Sequence, residues 1–283
     1  MAIEIRPITP EEFDAFDQAI FVGFGNPTVT PEVKDTQRAL CEFDRTLAAF
    51  DGDEIVGTTG IFSFDMTVPG ATMPVAGVSW VSVKPTHRRQ GALTQIMQRQ
   101  LNDVRDRGEA IAALWASESI IYGRFGYGLA AQGIELKIAR EHTSFAHQPE
   151  VCGRTRLVSR DDALQAWPAV YDRVLPSRPG MYSRSEAWWS HHALGEHDDR
   201  GGGFSGRFYV QYEEDGEPQG YARYRIQSGD NDGAPGGTLA VQELIAATDA
   251  AYAGLWRYVF GVDLVATIRA RWRSVDEPLM WML

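Results

Sequence analysis

Apolar and polar positions along the chain fall into the same order of elements twice. The first set opens with Ile3-Glu-Ile-Arg-Pro-Ile-Thr-Pro-Glu-Glu-Phe13, which reads as a short strand, a Thr9 cap, Pro10 at the first helical position, and a helix. The second opens with Arg154-Thr-Arg-Leu-Val-Ser-Arg-Asp-Asp-Ala163: a short strand, a Ser159 cap, an acidic first turn, and a helix to about Val174. A hairpin follows in each, with Asp-Gly in its connection. The first pairs 45–50 with 55–62, the second 206–212 with 219–226. A strand and a helix come next: 77–83 then Ala92 to about Arg107, and 238–245 then a helix ending near Phe260. Closing strands are expected at 111–116 and 264–269. A repeat on this scale predicts two tandem α+β domains with mixed sheets, 1–148 and 149–283, joined through the polar stretch 147–153. Loops are expected at 195–206 and 228–237.

Composition changes this picture little. The chain has 283 residues, 44% of them hydrophobic, enough for two cores. No apolar run approaches the roughly 20 residues of a membrane span, and the N-terminus lacks the long apolar region of a signal peptide. The expectation is a cytoplasmic protein without a membrane partner. A net charge of −11 argues against nucleic acid. Cys41 and Cys152 are the only cysteines and stand far apart, so neither a disulfide framework nor a metal site is expected.

The candidate chemistry begins at Val81-Ser-Val-Lys-Pro-Thr-His-Arg-Arg-Gln-Gly-Ala-Leu93. A strand ends at Val83 and a helix starts near Gly91. A helix N-terminus offers unpaired N–H groups and a positive dipole end, a glycine allows close approach, and Arg88 and Arg89 add charge. The loop suits a phosphorylated ligand, yet it is neither GxxxxGK[ST] nor GxGxxG. At the matching turn of the second copy, Ile245-Ala-Ala-Thr-Asp-Ala250 has no arginine or glycine and carries Asp249, which would repel a diphosphate. One cofactor site per chain is therefore expected. A second segment, Ala116-Ser-Glu-Ser-Ile-Ile-Tyr-Gly-Arg-Phe-Gly-Tyr-Gly128, follows the last strand of the first copy. Its tyrosine is either a proton donor or an aromatic packed in a glycine-rich loop.

The spacing V-x-V-x-P-x-x-R-R-x-G-x-L resembles the acyl-CoA loop of the GNAT acetyltransferases. Together with S-E-x-x-I-Y-G-R-F-G-Y-G it is similar to the Eis (enhanced intracellular survival) family. The resemblance implies two fused GNAT-type domains and an N-acetyltransferase using acetyl-CoA. It implies that Val81, Ser82, Val83, Arg89, Gln90, Gly91, Ala92, Leu93, Thr94, Ser117 and Glu118 contact acetyl-CoA, and that Tyr122 is the general acid. The backbone amide near Val83 would polarise the thioester carbonyl. Tyr127 has no such role implied. A primary-amine acceptor (an aminoglycoside, a polyamine or a lysine-like side chain) is expected, and the resemblance implies a homohexamer.

Eis-like proteins also carry a third, sterol-carrier-like domain whose C-terminal carboxylate serves as base. This sequence reaches Leu283 in what reads as a strand of the second domain, so it is read as lacking that domain: a short member or a fragment, with the base unassigned. The alternative function is an acyl-CoA-binding module with little turnover. Asp14, Asp17, Phe21 and Phe24 are expected near the acceptor. His87 is expected against phosphate or solvent. Trp188, Trp189, His191 and His192 are expected to pack or face solvent on a helix.

Overall fold

The computed structural model describes residues 3–26, 29–195, 203–231 and 234–283. Expected loop positions 196–202 and 232–233 lie outside the described residues. The chain divides into two units, Met1–Gly128 with Arg178–His197, and Leu129–Ser177 with Asp198–Leu283.

The first unit is one five-stranded sheet in the order β1 (Glu4–Pro7), β2 (Leu47–Asp51), β3 (Glu54–Val68), β4 (Ala71–Val83), β5 (Ile111–Leu114). Neighbours are antiparallel except the last pair, which is parallel. Alternation along β2 and β3 divides the apolar residues between two faces. Ala48, Phe50 and Ile55 pack under helix α1 (Phe13–Gly23), with its Phe13, Phe16, Ala19 and Ile20. Ala49 and Val56 point the other way, onto Ile96 of helix α3 (Ala92–Asp106). Helix α2 (Pro31–Leu40), capped by Thr30, lies between α1 and β2 and has no counterpart in the sequence reading. The segment from Arg178 returns to β3 where β2 has ended. Thr67 N donates to Met181 O at 2.9 Å and Ser183 N to Asp65 O at 2.8 Å.

The second unit repeats the plan. Its strands are β6 (Gly133–Ala139), β7 (Arg154–Val158), β8 (Phe208–Glu214), β9 (Glu217–Gln227), a small ribbon β10–β11 (Asp230–Asn231, Ala234–Pro235), β12 (Gly237–Ala246) and β13 (Val265–Ser274). The large sheet runs β6-β13-β12-β9-β8-β7, with β12 and β13 parallel. Helix α4 (Arg160–Val174), capped by Ser159 as the sequence predicts, stacks Trp167 on Tyr221 with ring centroids 4.2 Å apart. Helix α5 (Asp249–Phe260) covers the opposite face, burying Leu255, Trp256 and Val259 against Tyr212, Leu239 and Leu244. Two tandem α/β units with mixed sheets thus agree with the fold read from the pattern.

Two details differ. The units part between Gly128 and Leu129, ahead of the expected 148/149, because β6 pairs with β13 of the second unit. Residues 278–283 are not a strand: Pro278–Trp281 form a 3-10 turn. Proline lacks the N–H a ladder needs, and the N–H of the buried Leu279 donates to a side chain, Tyr252 Oη at 3.1 Å, and not to a strand carbonyl. No helix among the described residues is long and apolar enough to cross a membrane.

Candidate active site

The centre of the first unit is the C-terminal half of β4. Its parallel pairing with β5 stops at Val78↔Leu114. Beyond that pair β4 continues through Val81, Ser82 and Val83 while β5 ends, so this edge of β4 has no strand beside it among the described residues. The register against β3 also slips here: Gly60 faces Ser79 and Thr58 faces Ser82, leaving Trp80 and Val81 opposite Thr59 alone. This is a β-bulge, and Trp80 takes a φ of 55° to make it. Gly60 makes room, since a Cβ there would lie 2.6 Å from the Trp80 ring. Thr58 Oγ1 donates to the bulged Trp80 carbonyl at 2.7 Å and lies 2.9 Å from the buried Ser82 Oγ. Ser82 therefore has only its backbone to offer a ligand.

The loop after β4 is a 3-10 turn, Pro85–His87, followed by two left-handed residues, Arg89 at φ 63° and Gly91 at φ 90°. Gly91 is the N-cap of α3 and supplies no side-chain cap. The first-turn N–H groups of α3, at Ala92, Leu93 and Thr94, are thus left for a ligand, at the positive end of a 15-residue helix. Arg89 is exposed and makes no ion pair among the described residues. Arg88 is held differently: its guanidinium donates to Val83 O at 3.2 Å and to Gly23 O at 2.7 Å, tying the end of α1 to the end of β4. His87 does not face open solvent. Its Nε2 lies 3.3 Å from Asp51 Oδ2 and its Nδ1 2.8 Å from Thr86 Oγ1. Gln90 Nε2 donates to Thr86 O at 3.0 Å and braces the turn.

Ser117 and Glu118 sit exposed on the turn that leaves β5. Tyr122 follows between two short 3-10 turns and is buried, its ring edge-on to Tyr127. Burial, reinforced by the Glu118 charge, raises the Tyr122 hydroxyl pKa above its ordinary value near 10. The Tyr127 hydroxyl is pushed up to about 12, by burial first and then by Tyr122. Both phenols stay protonated at neutral pH.

A cavity of about 180 Å³ opens elsewhere in the same unit, lined by Ala39, Leu40, Cys41, Glu42, Phe62, Ser63, Phe64, Ser185, Ala187 and Trp188. Trp188 opens a π-helical turn, Trp188–Ala193, instead of an ordinary helix. Its ring meets Phe62 and Phe64 edge to face at 5.1 and 4.9 Å, and Phe62 meets Trp80 at 4.9 Å. Gly77 admits this packing, since a Cβ there would stand 2.6 Å from the Phe64 ring. Asp17 of α1 is buried without a hydrogen-bond partner at Oδ1, and Asp14 is exposed and pairs with Lys34 and Arg38. Phe24 is largely exposed.

Residues 4–130 match an acetyltransferase (GNAT) domain family, and residues 180–283 match a second acetyltransferase (GNAT) domain family. An uncharacterised N-acetyltransferase of Streptomyces avermitilis is 38% identical over 285 residues, covering 100% of this chain and 69% of the relative. N-acetyltransferase Eis of Mycobacterium tuberculosis is 34% identical over 249 residues, covering 85% of this chain and 59% of that protein. The crystal structure of Eis1 from Mycobacterium abscessus superposes with a TM-score of 0.82 at 30% identity, covering 99% of this chain and 68% of that one. The chain belongs to the Eis-like GNAT N-acetyltransferases. It is an acetyltransferase enzyme, and GNAT acetyltransferases take acetyl-CoA as co-substrate.

The residues of this Eis-like acetyltransferase fit that co-substrate in the first unit. A free strand edge suits the amides of a pantetheine arm, and an uncapped helix start behind a left-handed glycine suits a diphosphate. The second unit lacks the latter. There Thr248 caps α5, its Oγ1 accepting from Ala251 N at 3.1 Å, and Asp249 occupies the first turn. The donors that Gly91 leaves free in α3 are partly satisfied in α5 by the chain itself. The loop and both tyrosines are legible in the sequence. The Trp80 bulge and the cavity are not, since each depends on strand pairing across the unit. Gly60 and Gly77, each inside an apolar strand, were the available signals.

Proposed function

We propose that this enzyme transfers the acetyl group of acetyl-CoA to a primary amine of a small molecule or a lysine-like side chain, by direct attack. The uncapped, left-handed Gly91 start of α3 directly after the free edge of β4 carries this reading. On it, the backbone amides from Arg89 to Thr94 and the Arg89 guanidinium hold the diphosphate. Arg88 contributes through the loop shape it fixes as well as through charge. The backbone of Val81, Ser82 and Val83 aligns the pantetheine arm, and the N–H near Val83 polarises the thioester carbonyl. Ser117 and Glu118 close on the arm from the segment after β5. Acetyl-CoA supplies the activated acyl group. Tyr122, kept protonated by burial, gives its proton to the departing thiolate. A bound water takes the proton of the amine.

One such site per chain follows from the Thr248 cap of the second unit. The boundary of the catalytic part belongs with the first unit, whose contiguous stretch contains every one of these residues. A cytoplasmic location and a homohexameric assembly go with this reading, the latter checked by light scattering on the purified chain.

The test is calorimetry with acetyl-CoA combined with a thiol-release assay over a panel of primary amines. Binding with amine-dependent thiol release is expected, and Arg89→Glu is expected to weaken binding at least tenfold, the loss of one charge-assisted contact plus a repulsion. Binding without release for any amine would make the chain an acyl-CoA-binding module.

A further inference from the structure

The loop between β4 and α3 carries backbone strain that something must hold. Arg89 sits at φ 63° and Gly91 at φ 90°. A glycine takes that conformation freely, but an arginine persists in it only where its surroundings over-determine it. Arg88, Arg89, Gln90 and Gly91 are exposed, so burial does not supply the hold. Of the residues from Pro85 to Gly91, His87 alone is not exposed. Both of its ring nitrogens have a partner: Nδ1 lies 2.8 Å from Thr86 Oγ1 and Nε2 3.3 Å from Asp51 Oδ2. A ring that donates from Nε2 to the carboxylate and accepts the Thr86 hydroxyl at Nδ1 satisfies both at once. Its orientation is thereby fixed from two directions.

Asp51 is the last residue of β2 and pairs with Glu54, the first residue of β3, across a turn in which Gly52 takes a φ of 60°. The end of this hairpin presents two carboxylates, and the loop after β4 answers with Lys84 and His87. Lys84 Nζ reaches Glu54 Oε1 at 2.8 Å, and Lys84 N donates to Val56 O at 2.9 Å. The two side-chain pairs are not equal. The Glu54 side chain is 58% exposed, and an ion pair in that setting contributes little. The His87 and Asp51 side chains are each 18% exposed, so their contact is screened less. His87 N donates to Lys84 O at 2.9 Å and closes the turn on which the ring stands. Thr86, which meets His87 Nδ1, also accepts at its carbonyl from Gln90 Nε2 at 3.0 Å. Gln90 stands between the two left-handed residues. A chain of contacts therefore runs from Asp51 through His87 and Thr86 to the point where the loop is strained.

We propose that Asp51 and His87 are positioning residues for the co-substrate: acting through Thr86 and Gln90, they hold the left-handed Arg89 and Gly91 in the form that a diphosphate requires. The ordering is present in the free enzyme, so acetyl-CoA does not have to impose it on binding. Asp51 acts only through His87. The effect falls on affinity for a donor that bears a diphosphate, and not on the chemistry near Val83 and Tyr122. The proposal rests on the reading of Arg89 to Thr94 as the diphosphate site.

The experiment is a double-mutant cycle read with two donors. Acetyl-CoA is titrated calorimetrically into the wild type, Asp51→Asn, His87→Gln and the double variant. Each single substitution is expected to raise Kd about tenfold, and the double to raise it by no more than about twofold beyond either single. At saturating acetyl-CoA, kcat is expected to stay within about twofold of the wild type. The donor S-acetylpantetheine separates positioning from general damage, because it carries the thioester arm without the diphosphate. Its kcat/KM is expected to agree within about twofold across the wild type and the variants. Asp51→Asn keeps the shape of the side chain, so it carries the test against both donors should His87→Gln fail to fold. Should S-acetylpantetheine be too poor a donor to measure, the cycle on acetyl-CoA affinity decides. Unchanged acetyl-CoA affinity in Asp51→Asn, additive losses in the double variant, or an equal loss with both donors overturns the proposal. A wild type that binds acetyl-CoA while the variants show any of these results leaves the diphosphate reading standing. A wild type that binds no acetyl-CoA defeats that reading and the proposal with it.

Discussion

The Tyr122 and Tyr127 rings meet edge to face with centroids 5.9 Å apart, and the Tyr127 N–H donates to the Tyr122 carbonyl at 3.3 Å. The two phenols share one environment but differ in what they can do. Tyr127 Oη is fully enclosed and has no partner, and its hydroxyl is the more strongly shifted. A hydroxyl sealed in this way cannot deliver a proton. Tyr122→Phe is therefore expected to lower kcat about a hundredfold with little change in acetyl-CoA affinity, within the range for loss of a general acid. Tyr127→Phe is expected to leave kcat within about threefold and to raise stability by about 1 kcal/mol, because it removes a buried unsatisfied group. Because burial raises the Tyr122 pKa above its ordinary value near 10, wild-type activity should show no alkaline decline from this residue up to about pH 9. Steady-state kinetics and urea denaturation of the two variants decide between these roles; an inactive Tyr127→Phe beside an active Tyr122→Phe would reverse them.

The helix starts of the two units make a matched pair. Gly91 begins α3 at φ 90° with no side-chain cap, whereas Thr248 caps α5. A Cβ at residue 91 meets only open space and Gln95, so its cost is conformational. Gly91→Ala is expected to cost about 1 kcal/mol of stability. Its larger effect is a roughly tenfold rise in the acetyl-CoA Kd, as the loop relaxes away from the left-handed turn. Thr248→Ala is expected to cost about 1 kcal/mol of stability as a lost cap and to leave acetyl-CoA binding unchanged. Calorimetry on both variants is the check, and weakened binding in Thr248→Ala would mean that the second unit also takes part.

What the sequence made legible follows from where the information lies. The loop from Val81 to Leu93 is contiguous, and its glycine and arginines are needed for local reasons, so the motif could be read directly. The hairpins and the helices at 92–106 and 160–174 were legible because their period and caps are local too. The cavity draws on three stretches, 39–42, 62–64 and 185–188, that meet only after β3 has paired and the chain has returned. Nothing near Trp188 in sequence announces Phe62. The β4 bulge depends on a register against β3 that no one strand encodes. The strand at 133–139 is not legible locally because its partner β13 lies far along the chain.

Gly60 and Trp80 give that register a direct test. A Cβ at residue 60 would fall 2.6 Å from the Trp80 ring, which is itself held by Phe16 and Phe62 at 6.0 and 4.9 Å. The ring is thus held edge-on by two aromatic neighbours, which limits how far it can yield. Gly60→Ala is expected to cost about 2 kcal/mol as overpacking and to weaken acetyl-CoA binding, because the bulge it disturbs sets the direction of Val81 and Val83. Trp80→Leu in the same chain should recover at least about 1 kcal/mol of that loss, the coupling expected of residues in contact. Simple additivity of the two substitutions, measured by urea denaturation, would show that the ring and the glycine are independent.

Asp17 supplies a pH dependence with a definite sign. It is 1% exposed, and burial raises its pKa from 3.8 to about 6, with Lys34 opposing and Asp14 adding to the shift. Between those values the folded chain holds a proton that the unfolded chain has released. The stability associated with the protonated carboxyl is complete below about pH 4 and is lost as the pH rises through 6. At about 1.4 kcal/mol per unit, the shift is worth about 3 kcal/mol above pH 7. Asp17→Asn keeps the size of the side chain and removes the charge. It is expected to be more stable than the wild type by up to about 3 kcal/mol at pH 8 and indistinguishable from it near pH 4. Urea denaturation at the two pH values measures this. A difference that does not change with pH would mean that Asp17 is ionised in the fold at no cost.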